Sequence, residues 1–301
     1  MVKFYILTSG HFTSLLRHNS PKYSNIPKED MVVVINSLDE YYIKKAEKYC
    51  KDTGIEYYIT KSNGTPAKGK NSVLKLFLES DNDYCVMVDG DDFLTQYGVE
   101  YYKNLVNNKV VPDALCLRNA LSLHYLSLYH NNNIEITTKT VVASLRAEDE
   151  KFNEEEAYEN YLNVFKTNSK KARKAASSLK KLHDNQKKFS EKHQTFTRVT
   201  WLSKKAAKFK FDEDLVIGED AIQFFYLKNE GLNNNLKVFT LDENPPTYIY
   251  DQRTKGTVRT ESKEHKDFSW IDKFIDKVEF LKQKNIIHEN KYLKEYRVFG
   301  E

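Results

Sequence analysis

Cysteine is scarce, with three in 301 residues. Cys50, Cys85 and Cys116 are odd in number, widely spaced and set among apolar or helical neighbours. That pattern excludes a disulfide framework and a zinc-ligand spacing, and leaves reduced thiols. Long apolar runs are also missing: none approaches the roughly 20 residues that cross a bilayer. The opening "MVKFYILTSG" is too short and too strand-like for a signal peptide, so a cytoplasmic location is expected. Neither sign of charge dominates, because 47 basic side chains face 43 acidic ones and leave a formal +4. Internal repeats are absent as well.

What is present describes a water-soluble globular chain. Hydrophobic residues make up 40% and aromatics 13%, enough to exclude disorder, while 30% charged residues argue against a membrane protein. The charge is uneven. "EDEKFNEEEAYE" (Glu148 to Glu159) is acidic, whereas Lys166 to Lys192 is dense in lysine with only Asp184 and Glu191 opposing it.

The first half alternates strand and helix. "KFYILT" (Lys3 to Thr8) and "MVVVIN" (Met31 to Asn36) are short apolar runs ending in polar punctuation, as buried parallel strands do. Between Asp39 and Asp52, Tyr42, Ile43, Ala46, Tyr49 and Cys50 fall at helical spacing, and Gly54 is a stop signal. "IEYYIT" (Ile55 to Thr60), a polar loop "KSNGTPAKGK", a helix from Asn71 to Glu79 and a strand from Tyr84 to Val88 repeat the pattern. A doubly wound α/β sheet follows, in which ligands bind beyond the carboxyl ends of the strands. "DALCLRNALSLHYLSLY" reads as a further strand or strand pair. From Glu154 to about Lys192 two charged helices are expected, with Ala172, Ala175, Ala176, Leu179 and Leu182 as an apolar stripe. A last helix, Phe268 to Lys284, places Trp270, Phe274, Ile275, Val278 and Leu281 on one face.

The strand at Tyr84 runs directly into Asp89-Gly90-Asp91-Asp92. Clustered carboxylates repel and drift toward protonation unless a cation intervenes, and Mg²⁺ or Mn²⁺ binds through such groups with substrate phosphates completing its shell. Gly90 would let a phosphate approach the backbone. Read alone, the same residues also fit a solvated turn, or an aspartyl nucleophile. An EF-hand is excluded by its frame. A second acidic pair, Glu219-Asp220, opens an apolar helix, where carboxylates are also common as N-terminal caps.

Taken together, "ILTSGH", "NGTPAKGKNSVLKLF", "VMVDGDDFL", "FKFDEDLVIGEDAIQFFYLKNEGL" and "PPTYIYDQRTKGTVR" resemble glycosyltransferase family 2, over most of residues 1 to 119 and 196 to 260. The resemblance implies a GT-A fold, a mostly parallel sheet flanked by helices, divided into four parts. Residues 1–123 would bind the nucleotide sugar, 124–195 form a helical lysine-rich insertion, 196–260 carry the acceptor half, and 261–301 add a helical extension.

By the same resemblance Asp89 and Asp91 hold Mn²⁺ or Mg²⁺, and Asp92 orients them or contacts the sugar. Asp220 is the general base and Glu219 its orienting neighbour. Thr8, Ser9 and Gly10 lie near the base or ribose of a UDP-sugar. Many relatives read the base with an acid right after the second strand; here Asn36-Ser37 stands there and Asp39 follows. Lys68, Lys70 and Asn71 occupy the place of Ala-Arg-Asn and could meet phosphate, or form a solvated basic loop. Arg253 and Lys255, with Arg259, belong to a loop expected to close over the diphosphate with Gly256 as hinge. Trp201 stands at the acceptor side or in the core. His11, His124, His183 and His193 have no metal spacing.

Inversion of the sugar's anomeric centre is implied, with a glycan hydroxyl or hydroxymethylated DNA as acceptor. The DNA reading draws on Lys170, Lys171, Arg173, Lys174, Lys180, Lys181, Lys187 and Lys188. Two other functions compete. A sugar-nucleotide nucleotidyltransferase should carry a Gly-rich, Arg-containing loop after the first strand, where "TSGHFTSLLRHNS" is a poor candidate. A non-catalytic nucleic-acid-binding protein should bind in a salt-sensitive way that survives loss of Asp91 and Asp220.

Overall fold

The computed structural model describes residues 1–10, 24–117, 121–122, 153–164, 168–174, 198–241, 247–250 and 269–296, together with 12, 15–16, 19–22, 176–177 and 180. The expected closing loop with Arg253, Lys255, Gly256 and Arg259 lies outside the described residues. So do Ala175, Leu179, Leu182, Lys181, Lys187, Lys188 and the four histidines at 11, 124, 183 and 193.

Eight strands form the main sheet. They are β1 (Val2–Thr8), β2 (Met31–Ile35), β3 (Glu56–Ile59), β4 (Tyr84–Asp89), β6 (Ala114–Leu117), β8 (Arg198–Ser203), β9 (Val238–Leu241) and β11 (Glu295–Tyr296), in the order β11-β9-β6-β8-β4-β1-β2-β3. Every pairing is parallel except those of β8, which runs antiparallel to β4 and β6. A small second sheet joins β5 (Phe93–Leu94), β10 (Tyr248–Tyr250) and β7 (Leu121–Ser122) in the order β5-β10-β7. The chain winds from β1 out to β2 and β3, then returns to place β4 on the other side of β1. That reversal opens a crevice at the carboxyl ends of β1 and β4.

Helices cover both faces. Alternation along β1 and β2 sends Phe4, Ile6, Met31, Val33 and Ile35 to one face, and Tyr5, Val32 and Val34 to the other. The first face packs on α1 (Glu40–Thr53) through Tyr42, Ala46 and Cys50, and on α3 (Gln96–Asn104) through Val99, Tyr101 and Tyr102. The second packs on α2 (Pro66–Glu79) through Ala67, Val73, Leu74 and Phe77, and on α5 (Glu219–Leu232) through Ile222, Phe224, Phe225 and Leu227. All three cysteines are buried and form no disulfide.

Helix α1 begins and ends where its caps dictate. Asp39 accepts from the Tyr41 and Tyr42 amides, and Gly54 closes it in the left-handed region. Helix α2 starts five residues earlier than its apolar spacing suggests. Thr65 caps it by accepting from the Lys68 amide, and Pro66 occupies the first turn, where its missing N–H costs nothing. Lys68 and Lys70 therefore stand on a helix, not in a basic loop. Strand β3 is at the sheet edge and mostly exposed.

Of the stretch between 124 and 195, α4 (Glu154–Val164) and a helical turn over 169–174 are described. Ala157, Ala172 and Ala176 are buried, and Arg173 holds both oxygens of Glu155 at 2.6 and 3.0 Å while lying 3.8 Å from the Tyr158 ring centre. The last helix, α6 (Ser269–Gln283), buries Leu281 and packs Phe274 and Val278 on the second core face. Ile275 departs from the expected face and is 49% exposed, because the buried stripe runs 274, 278, 281 and turns residue 275 outward. Among the described residues no helix is long and apolar enough to cross a membrane.

Candidate active site

The register of β1 and β4 sets Leu7 opposite Asp89, so the acid turn emerges at the crevice. The turn is stitched to its neighbour: the Gly90 amide donates to Leu7 O at 2.6 Å and the Asp92 amide to Asp89 O at 2.9 Å. A Cβ on Gly90 would stand 2.7 Å from Leu7 O and 2.8 Å from Thr8 Cβ. Glycine is needed there so that two strand ends can close on each other. Buried Asn19 holds the turn from the other side, donating to Asp92 O at 3.0 Å and Gly90 O at 3.3 Å.

Arg198, the first residue of β8, lies 7% exposed against these acids. Its Nη2 is 2.9 Å from Asp89 Oδ2, and its Nη1 is 3.0 Å from Asp92 Oδ2. Tyr248 on β10 donates to Asp92 Oδ2 at 2.8 Å and accepts from the Asp89 amide at 3.1 Å. It also meets Arg198 Nη1 directly, under a guanidinium centred 4.6 Å from its ring. Burial raises the Tyr248 hydroxyl well above the ordinary range, which keeps it a donor. Burial opposes charge on Asp89, but the fields of Arg198 and Lys70 outweigh it and leave that carboxyl lowered.

The second acidic pair is built where α2 meets α5. Lys70 is buried, with Nζ 2.8 Å from Glu219 Oε1 and 2.6 Å from Asp220 Oδ1. Burial disfavours its charge, yet Asp220, Glu219 and Asp89 together raise its pKa. Burial, with Asp220 beside it, pushes Glu219 up against the pull of Lys70. Gly218 ends the approach in the left-handed region at φ 88, and a Cβ there would meet the Phe274 ring at 2.6 Å. The close approach of α6 and that backbone turn both require glycine. Lys277 of α6 adds a 2.5 Å pair with Asp212.

These two acid groups share one electrostatic neighbourhood. Asp89 acts on Lys70, and Asp220 acts on Arg198. The structure thus brings together Asp89, Asp91, Asp92, Lys70, Glu219 and Asp220. Thr8 is buried at the end of β1 and bonded to the Tyr42 hydroxyl, while Ser9 and Gly10 beyond it are exposed.

Other expected site residues also carry structural hydrogen bonds and ion pairs. Asn36 is buried and donates to Thr60 Oγ1 at 2.8 Å and Lys61 O at 3.1 Å, tying β2 to the end of β3. Asp39 is the α1 cap. Lys68 pairs with Glu213 Oε2 at 3.1 Å, and Asn71 exchanges hydrogen bonds with the Phe211 backbone, both at 2.9 Å, anchoring the segment that leads to Gly218. Trp201 is fully buried, donates to Pro112 O at 2.9 Å and stacks on Tyr84 at 4.5 Å, so it is a core residue and not part of the acceptor side.

Arg198, Tyr248 and Asn19 escaped notice in the sequence. The available signal for Arg198 is a single cation opening an otherwise apolar and polar-neutral strand, "RVTWLS".

The acid turn offers hard oxygens only. One ligand atom from each of Asp89, Asp91 and Asp92 lies within 4.8 Å of the others, a donor set that fits Mg²⁺ or Mn²⁺ and not a soft metal. Asp92 is fully buried with Oδ2 held by Arg198 and Tyr248, whereas Asp89 keeps a quarter of its side chain exposed.

No protein-family profile and no curated protein matches the chain. Solved structures do. S. aureus TarS 1-349 in complex with UDP-GlcNAc aligns with a TM-score of 0.50 and 12% identity, over 93% of this chain and 65% of that one. The same protein with UDP gives 0.45 and 14%, over 83% and 60%. Mannosyltransferase PcManGT from Pyrobaculum calidifontis, with GDP-Man and Mn²⁺, gives 0.45 and 10%, over 93% and 69%. The chain spans 60% and 65% of the length of the two TarS structures. The first alignment, with the mostly parallel eight-stranded sheet, identifies the fold as GT-A.

Proposed function

We propose that this protein is a metal-dependent glycosyltransferase that moves a sugar from a nucleoside-diphosphate donor to an acceptor hydroxyl with inversion. One observation carries the reading: Lys70 pairs with the acids that open α5, Arg198 pairs with those at the end of β4, and the field of each acid group reaches the other group's cation. A fold likeness to a protein solved with UDP-GlcNAc supports a nucleotide-sugar donor, and UDP is the nucleotide we assign.

In this mechanism Asp89 and Asp91 hold Mg²⁺ or Mn²⁺. When bound, the ion stabilises charge on the departing diphosphate. The nucleotide lies against the ends of β1 and β2, near Thr8, Ser9 and Gly10. Asp220 takes the acceptor hydroxyl's proton while the acceptor oxygen bonds to the anomeric carbon. The bond from that carbon to the diphosphate breaks, and its electron pair leaves with the phosphate. Lys70 holds one Asp220 oxygen at 2.6 Å, and the Asp220 side chain keeps 23% of its surface exposed for the acceptor. Glu219 orients Lys70 from the other side.

For the acceptor we propose a hydroxyl on an anionic polymer, either a surface glycan or modified DNA. Exposed Lys170, Lys171, Lys174 and Lys180 support a polyanion. Incubation with Mn²⁺ and a panel of nucleotide sugars should release nucleoside diphosphate, slowly to water and faster with the acceptor. Unchanged release by Asp91→Asn and Asp220→Asn would remove both assignments.

A further inference from the structure

The reaction just described uses neither Arg198 nor Tyr248, yet both are buried against the acid turn. Asp89 and Asp92 come from β4 and the turn after it, Arg198 from β8 and Tyr248 from β10, so the four groups close a ring across three strands. Arg198 addresses the two carboxylates with different nitrogens, at 2.9 and 3.0 Å. Neither contact can lengthen freely without disturbing the other. The 4.6 Å approach of the guanidinium to the Tyr248 ring sets its plane, and the Tyr248 hydroxyl fixes the same Asp92 oxygen from a second direction. A lysine could supply the charge but not this planar, two-ended geometry.

We propose that Arg198, seated by Tyr248, is a positioning residue for the cation site: it takes the Oδ2 atoms of Asp89 and Asp92, leaving Asp89 and Asp91 to hold a divalent ion that binds well only together with a diphosphate. The inference rests on the glycosyltransferase reading for the ion and the diphosphate. Charge and ligand counting lead there. Three carboxylates are balanced in part by one guanidinium that stays charged, and one of the three, Asp92, is fully buried. Two carboxylates do not fill the six-coordinate shell that Mg²⁺ prefers, so water and phosphate oxygens must supply the rest. Arg198 thus acts on the ion through Asp89, as an outer partner orients a ligand.

Free Mn²⁺ can be counted by its electron paramagnetic resonance signal while the full chain is titrated, with and without UDP. The wild type should bind Mn²⁺ about tenfold or more tightly when UDP is present. Arg198→Lys, which keeps the charge, should weaken Mn²⁺ binding in the presence of UDP by about 10- to 100-fold, and Tyr248→Phe by about tenfold, at melting temperatures that show both variants folded. Tyr248→Phe removes a single hydroxyl and carries the test alone if Arg198→Lys does not fold. Equal Mn²⁺ affinity in wild type and folded variants overturns the positioning role, as does wild-type affinity that ignores UDP. No saturable Mn²⁺ binding by the wild type under either condition overturns the glycosyltransferase reading along with it.

Discussion

Lys70 and Asp220 stand 150 positions apart in the chain and meet at 2.6 Å, with Glu219 closing the group at 2.8 Å. One buried ammonium therefore holds two neighbouring carboxylates from a different helix. Removing it leaves both acids without their cation in a site that water reaches poorly. Lys70→Met should destabilise the fold by about 3–5 kcal/mol, the range for breaking one side of a buried ion pair. Urea unfolding measures it. A loss below about 1 kcal/mol, as for a surface pair, would show that the group is solvated.

Asp220→Asn separates structure from chemistry at the same place. The amide keeps the size of the side chain and an oxygen for Lys70, but it cannot accept the acceptor's proton. Turnover should fall by about 10²- to 10⁴-fold, the usual worth of a positioned base. Calorimetric binding of UDP with Mn²⁺ should hold near the wild-type value, because the donor side of the crevice is untouched. Equal loss of binding and turnover would assign Asp220 to the donor.

The acid turn makes a prediction about backbone. A methyl group on Gly90 has no room between Leu7 O and Thr8 Cβ, at 2.7 and 2.8 Å, and backbone on the facing strand cannot step aside as a flexible side chain can. Gly90→Ala should cost about 1–3 kcal/mol, as overpacking does, and should move Asp89 and Asp91 enough to weaken Mn²⁺ binding. Thermal melts and the Mn²⁺ titration check the two parts. A variant that melts and binds like the wild type would show that the strand ends are not in contact.

Which parts of this were legible beforehand follows from what local sequence can encode. Helix α1 was readable to within a residue because its apolar spacing, the Asp39 cap and the Gly54 stop are all local. Four of the strands in the first half were readable as apolar runs. Helix α2 was read late because Gly69 and the lysines mask its first turns, and the Thr65-Pro66 cap outweighs them. Both acid groups were visible as motifs. Their partner Arg198 was not, because nothing local to "RVTWLS" says that its first side chain reaches Asp89 and Asp92 across the sheet. Asn36, Lys68 and Asn71 show the converse. Each stands at a motif position, and nothing local in the motif says that its side chain also ties elements together.

Away from the crevice, Lys228 on α5 supplies a test by pH. It is 3% exposed, its ammonium donates to His288 O at 3.1 Å and lies 5.8 Å from the Tyr292 ring centre, and burial pushes its pKa down to about 8. In the unfolded chain a lysine titrates near its ordinary value of about 10.4. Between those two values the unfolded chain carries a proton that the folded protein has shed, so stability must rise with pH across that window. Below about pH 8 both states are charged, and the folded state bears the cost of burying the ammonium. Lys228→Met removes both the cost and the pH dependence. Urea unfolding of wild type and variant at several pH values should show the variant more stable at pH 7, with its advantage shrinking as pH climbs through the window. A difference between the two proteins that stays constant with pH would mean that Lys228 keeps its ordinary pKa and reaches water.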